Sequence, residues 1–163
     1  LQTVWAYPGG VLLEGCNLSE GRGTTRPFLL TGAPYLGETF WRETCSRVPA
    51  ATVLAASFKP EFSKWKGQVC PGWLVLPQSQ AFRSFAFFYE WIRQVRHRCP
   101  EDFAWTLPPY EFEYERPPID MIAATPTLRE AIEQNRSWED WARDWRGEEA
   151  DYRQWVAPFL LYS

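Results

Sequence analysis

The sequence predicts an α+β fold: one domain, residues 1–163, with a small mixed sheet packed by several helices and a helical C-terminal third. Three observations carry this. Short apolar runs at 11–14, 51–58 and 69–76 are bounded by Pro and Gly, as strands are. Residues 80–98 repeat aromatic and aliphatic side chains at helical spacing. Strands and helices do not alternate as regular βαβ units. A chain of 163 residues can bury a real core within one domain.

The elements follow in order. Residues 4–7 with Pro8-Gly9-Gly10 read as an entry segment and turn, leading into a strand at 11–14. Residues 28–36 form an apolar, turn-rich connection. A helix is expected over 38–47, with Phe40, Trp41 and Cys45 facing the core. Ala51 to Phe58 reads as a buried strand ended by Lys59-Pro60. The next strand, 69–76, contains Pro71-Gly72, the mark of a bulge or bend. The helix over 80–98 places Phe82, Phe85, Tyr89 and Ile92 on one stripe and leaves Arg83, Glu90, Arg93 and Arg96 to water. Cys99-Pro100 stops it, and Pro108-Pro109 keeps 103–115 extended. Thr125-Pro126 opens a helix over 128–134. Ser137 with Asp140 three residues on makes a capping-box pattern for the next helix. There Trp138, Trp141 and Trp145 form a stripe that reads as core or interface rather than ligand platform. A last helix over 148–156 shows Tyr152 and Trp155 on one face.

Composition narrows the function. Aromatic residues reach 17%, with 10 Trp, more than a core alone requires. Such an excess suits sugar stacking and protein interfaces equally. A net charge of -3 without a basic run argues against nucleic acid. No apolar run is long enough to span a bilayer. No signal peptide is legible and residue 1 is Leu, so the chain reads as a mature or excised piece. Cys16, Cys45, Cys70 and Cys99 are scattered, and His97 beside Cys99 is a poor zinc pair, so neither metal nor cofactor is expected. Export would permit a disulfide, without the sequence choosing its partners.

The densest chemistry lies in residues 14–28, EGCNLSEGRGTTRPF. Two carboxylates, two guanidiniums, an amide and three hydroxyls are too many polar groups for a packed core segment. Gly15, Gly21 and Gly23 punctuate them, so the stretch reads as a functional loop leaving a strand end. The alternative is that Arg22 and Arg26 pair with Glu14 and Glu20 and merely staple the loop. Gly21-x-Gly23 lacks the Lys-Ser/Thr of a phosphate loop, and Ser19 lacks a nucleophile elbow. Glu14 and Glu20 are weak candidates for the paired carboxylates of glycoside hydrolysis.

This loop resembles the signature of the exo-acting peptidoglycan β-N-acetylmuramidases, the NamZ family. Residues 58–72, Tyr114-Glu115, residues 118–122, Leu128-Arg129-Glu130 and residues 159–162 resemble later family segments in the same order. Ala123-Ala124 stands where the family shows a glycine-containing turn, and Cys16 where Thr is more frequent. The resemblance implies the C-terminal, cleft-forming domain of a bacterial cell-wall-recycling glycosidase. The main catalytic group is then expected in a Rossmann-like N-terminal domain outside this chain. The implied reaction releases terminal N-acetylmuramic acid from non-reducing ends of peptidoglycan fragments, and the implied compartment is the envelope, periplasmic or secreted. On that substrate, Arg22 or Arg26 would grip the lactyl carboxylate. Asn17, Ser19, Glu20 and Thr24 would serve sugar hydroxyls or the N-acetyl group. A non-catalytic glycan-binding or inter-domain interface module is the alternative. Asp120, set among apolar residues, reads as a buried anchor.

Overall fold

The computed structural model describes residues 1–37 and 48–161. The helix expected over 38–47 lies outside the described residues.

The architecture is α+β. Helix α1 (Gln2–Gly10) runs into a 3-10 turn (Val11–Gly15). Strands β1 (Leu30–Gly32), β2 (Ala51–Phe58) and β3 (Cys70–Pro77) form a sheet of order β1-β3-β2. Helices α2 (Ser84–Arg98), α3 (Pro118–Ile122), α4 (Thr127–Glu133), α5 (Trp138–Arg143) and α6 (Arg146–Val156) follow, and a 3-10 turn (Ala157–Phe159) comes last. The C-terminal third is helical, as expected. Both strand pairings are antiparallel, so the sheet is not mixed among the described residues.

Four local expectations are corrected. Residues 2–10 are helical, and 11–14 form the 3-10 turn rather than a strand. Tertiary packing overrides the Pro-Gly-Gly signal: a Cβ on Gly9 would sit 2.2 Å from the Ser84 carbonyl oxygen, so this glycine serves close approach to α2. Strand β2 is confirmed but largely half-exposed, because it forms a sheet edge. Pro71-Gly72 makes no bulge, since the β2–β3 ladder is unbroken from Ala51↔Pro77 to Phe58↔Cys70. Its glycine instead admits the Thr31 carbonyl of β1, 2.0 Å from where a Cβ would lie. Residues 30–32, read as connection, thus become a strand.

Helix α2 organises the core. It begins at Ser84, four residues later than its periodicity suggests, because residues 79–82 form a turn. Tyr89 and Ile92 of the expected stripe are buried, with Phe88, Trp91 and Val95 beside them, and Phe82 packs in from the turn. Trp91 stacks on Trp73 of β3 at 4.0 Å between centroids and donates to Thr31 Oγ1 at 2.9 Å. That bond ties helix to sheet without leaving an indole N–H dry. Tyr89 stacks on Trp141 at 5.3 Å, joining α2 to α5. Trp138 and Trp141 are therefore core. The expected cap at Ser137 forms, its Oγ accepting from Asp140 N, whereas α4 starts from Pro126 without a side-chain cap and Thr125 Oγ1 accepts from Thr127 N in the turn before it. Asp120 is the anchor expected of it, meeting Arg129 through two parallel bonds of 2.9 Å.

Candidate functional site

The loop 14–28 is held by three segments, two of them distant in sequence. Its entry is sewn to residues 102–106. Asn17 N donates to Ala104 O at 2.9 Å, and Thr106 gives its N–H to Gly15 O and its hydroxyl to Glu14 O. The middle pairs with β1, where Ser19 N donates to Gly32 O at 2.8 Å. Residues 61–65 support the loop from a third side. Glu61 N donates to Gly23 O, and Trp65 Nε1 donates to Asn17 O at 2.6 Å. Gly21 and Gly23 take φ of 76° and 80°, so the ribbon turns where a Cβ would strain it.

At the centre lies Glu20, 2% exposed. Lys64 Nζ donates to Glu20 Oε2 at 2.9 Å and to the carbonyls of Leu13 and Leu18 at 2.7 and 3.1 Å, which uses all three of its protons. Arg22 Nε stands 3.5 Å from Glu20, while its Nη2 donates to Glu14 Oε1 at 2.6 Å. The hydrogen bond to Glu14 raises the guanidinium's pKa further. Its plane also lies over the Phe28 ring, 5.2 Å from the centroid. Glu14 Oε2 accepts from the Tyr110 hydroxyl at 2.8 Å, and burial first, then that bond, pushes the phenol up to about 12. Tyr110 therefore stays a donor at neutral pH. The two carboxylates are balanced by Arg22 and Lys64.

The remaining proposed contacts divide sharply. Asn17 is satisfied at both ends, accepting from Tyr35 Oη at 2.9 Å and donating to Asp102 O at 2.8 Å. Ser19 is buried and accepts from Gly21 N. Thr24 bonds Gly21 O and receives Arg26 N. Arg26 is exposed, and among the described residues its guanidinium has no hydrogen-bond or ion-pair partner. The stapling alternative thus describes Arg22 but not Arg26.

Sequence reasoning missed Lys64, Trp65, Tyr35 and Tyr110. Lys64 and Trp65 lie inside the second segment quoted for the resemblance, so their signal was present without a role. Nothing near Tyr110 pointed to Glu14. Cys16 and Cys70 are buried free thiols that burial pushes up to about 11, and Cys99 is a third free thiol. They are thus poor nucleophiles. No trio of metal-ligating side chains occurs among the described residues. None of their helices is long and apolar enough to cross a membrane. A cavity of ≈1120 Å³ exists, but it lies between α1 and α6 and no residue of 14–28 lines it.

An α+β domain built around a polar, glycine-turned loop defines the class, and comparison with known proteins defines the family. The family described as exo-beta-N-acetylmuramidase NamZ, C-terminal, matches residues 5–162, and the chain belongs to it. The peptidoglycan beta-N-acetylmuramidase NamZ of Bacillus subtilis (strain 168) is 31% identical over 165 aligned positions, which cover 99% of this chain and 38% of that protein. Two solved structures of DUF1343 family proteins from Bacteroides fragilis share the fold. One has a TM-score of 0.75 at 19% identity and the other 0.61 at 18%; they cover 98% and 99% of this chain, and 42% and 41% of their own. The chain thus spans about two fifths of the relatives it matches.

Proposed function

We propose that this chain forms one wall of the substrate cleft of an exo-β-N-acetylmuramidase, acting with a preceding, Rossmann-like domain that carries the main catalytic group. The reaction is release of terminal N-acetylmuramic acid from non-reducing ends of peptidoglycan fragments, and its setting is the cell envelope. Family membership over nearly the whole chain carries this reading. The loop supports it by its charge balance. Glu14, Glu20, Arg22 and Lys64 cancel, so the exposed, unpaired guanidinium of Arg26 is the loop's uncompensated charge among the described residues. A planar guanidinium suits the lactyl carboxylate of muramic acid. Arg22, 44% exposed although braced, keeps an edge available as a second donor. Thr24 stands beside these two groups. Asn17, Ser19 and Glu20 act by holding the ribbon rather than by reaching the sugar. Glu14, with both oxygens engaged, holds Arg22 and Tyr110 in place.

The test is release of N-acetylmuramic acid by this chain alone and by the chain joined to the portion that precedes this segment in its relatives. Release by the joined protein only is expected. Release by residues 1–163 alone would place the catalytic group here and contradict the division of labour. Muropeptide binding by the chain alone, with no gain in turnover on joining, would favour a glycan-binding module.

A further inference from the structure

Helix α6 has no buried residue, yet one of its faces is aromatic. Tyr152, Trp155 and Phe159 follow one another there, with ring centroids 5.8 and 5.6 Å apart and exposures of 59, 65 and 70%. Leu160 and Leu161 prolong the apolar surface. The helix packs chiefly on the 3-10 turn that follows it, so packing against the body does not explain its pattern. Between it and the body lies the cavity of ≈1120 Å³, lined by Trp5, Phe85, Trp138, Trp145 and Tyr152 among others. Two ion pairs sit on the rim, Arg153 with Glu149 at 2.6 Å and Arg136 with Asp144 at 2.7 Å, beside the further charges of Arg83, Glu130 and Glu148. An aromatic centre inside a charged, polar rim is the anatomy of a protein interface.

We propose that this cavity, together with the ring face of α6, seats the preceding portion of the chain that the family's relatives carry. The matched family is a C-terminal one, and the chain spans 38% of its curated relative, so in that relative the larger part belongs to other segments. A preceding segment enters at α1, whose Val4, Trp5 and Pro8 line the cavity and whose Val4 and Tyr7 are exposed. The occupant is therefore tethered at the mouth of its own seat. Tethering raises its effective concentration to about the millimolar range, so a modest aromatic contact suffices. This inference does not depend on what the loop 14–28 binds.

Hydrogen exchange read by mass spectrometry tests it, on residues 1–163 and on the longer protein that includes the preceding portion. Amides of residues 148–160 should exchange about tenfold or more slowly in the longer protein. Trp155→Ala should abolish that difference while leaving the unfolding midpoint of residues 1–163 unchanged. Equal exchange in the two proteins overturns the proposal. So does protection of residues 1–163 alone that grows with concentration, which assigns the face to a second copy. Protection of the longer protein that requires an added muramyl fragment also overturns it, by assigning the face to a sugar.

Discussion

Lys64 and Glu20 show how a single buried pair governs the loop. A carboxylate only 2% exposed is costly unless fully compensated, and Lys64 supplies the nearer cation while closing two backbone carbonyls. Lys64→Met should cost about 3 kcal/mol of stability in urea unfolding, toward the lower end for a broken buried pair because Arg22 remains. Glu20→Gln in the same chain should recover about 1 kcal/mol or more of that loss. Ala124 presents the opposite case. It takes φ of 56° just past α3, a position where glycine is favoured. Ala124→Gly should stabilise the protein by about 1 kcal/mol, seen as a higher thermal midpoint. The loop's polar density was legible, as was the Arg22 staple as an alternative. Its hub was not, because Lys64 lies 44 residues from Glu20 and nothing local marks the pairing.

Elements were legible where their signals were local. Ser137 with Asp140 announced α5, and the aromatic stripe announced α2. The start of the chain misled because Pro8-Gly9-Gly10 has the composition of a turn, whereas Gly9 is small to let α1 touch α2. Strand β1 was hidden for a related reason: three residues carry no alternation, and β3 alone defines them. The turn at 110–116 makes a prediction of its own. Glu113 accepts from the N–H groups of Tyr114, Glu115 and Arg116 and from the Arg116 side chain. Those bonds, led by Glu115 N–H, hold its carboxyl at about 2. A depressed value means that the order it confers is complete above the ordinary carboxyl value of about 4.3 and is lost as pH falls through about 2. Amide resonances of 114–116 should therefore move between pH 4 and 2 (approximate bounds). Glu113→Gln should remove that response.

At the scale of the whole molecule, two surfaces divide the work. The ribbon 14–28 is hydrogen-bonded along its length, neutralised with the help of Lys64, and tipped by one unpaired guanidinium. The second is an aromatic cavity between α1 and α6 that the loop does not line. Fold class was legible because helix and strand patterns were segregated along the chain. That Arg26, and not Arg22, carries the unpaired charge was not, since both guanidiniums sit in one loop and only the folded geometry pairs one of them. In the proposed cleft, Arg26 distinguishes a muramyl from a glucosaminyl terminus. The direct measurement is the ratio of affinities for muramic-acid-ended and glucosamine-ended fragments in the longer protein, with and without Arg26→Ala. The substitution should lower the preference by about tenfold to a hundredfold, the worth of a charge-assisted hydrogen bond. An unchanged ratio would contradict it.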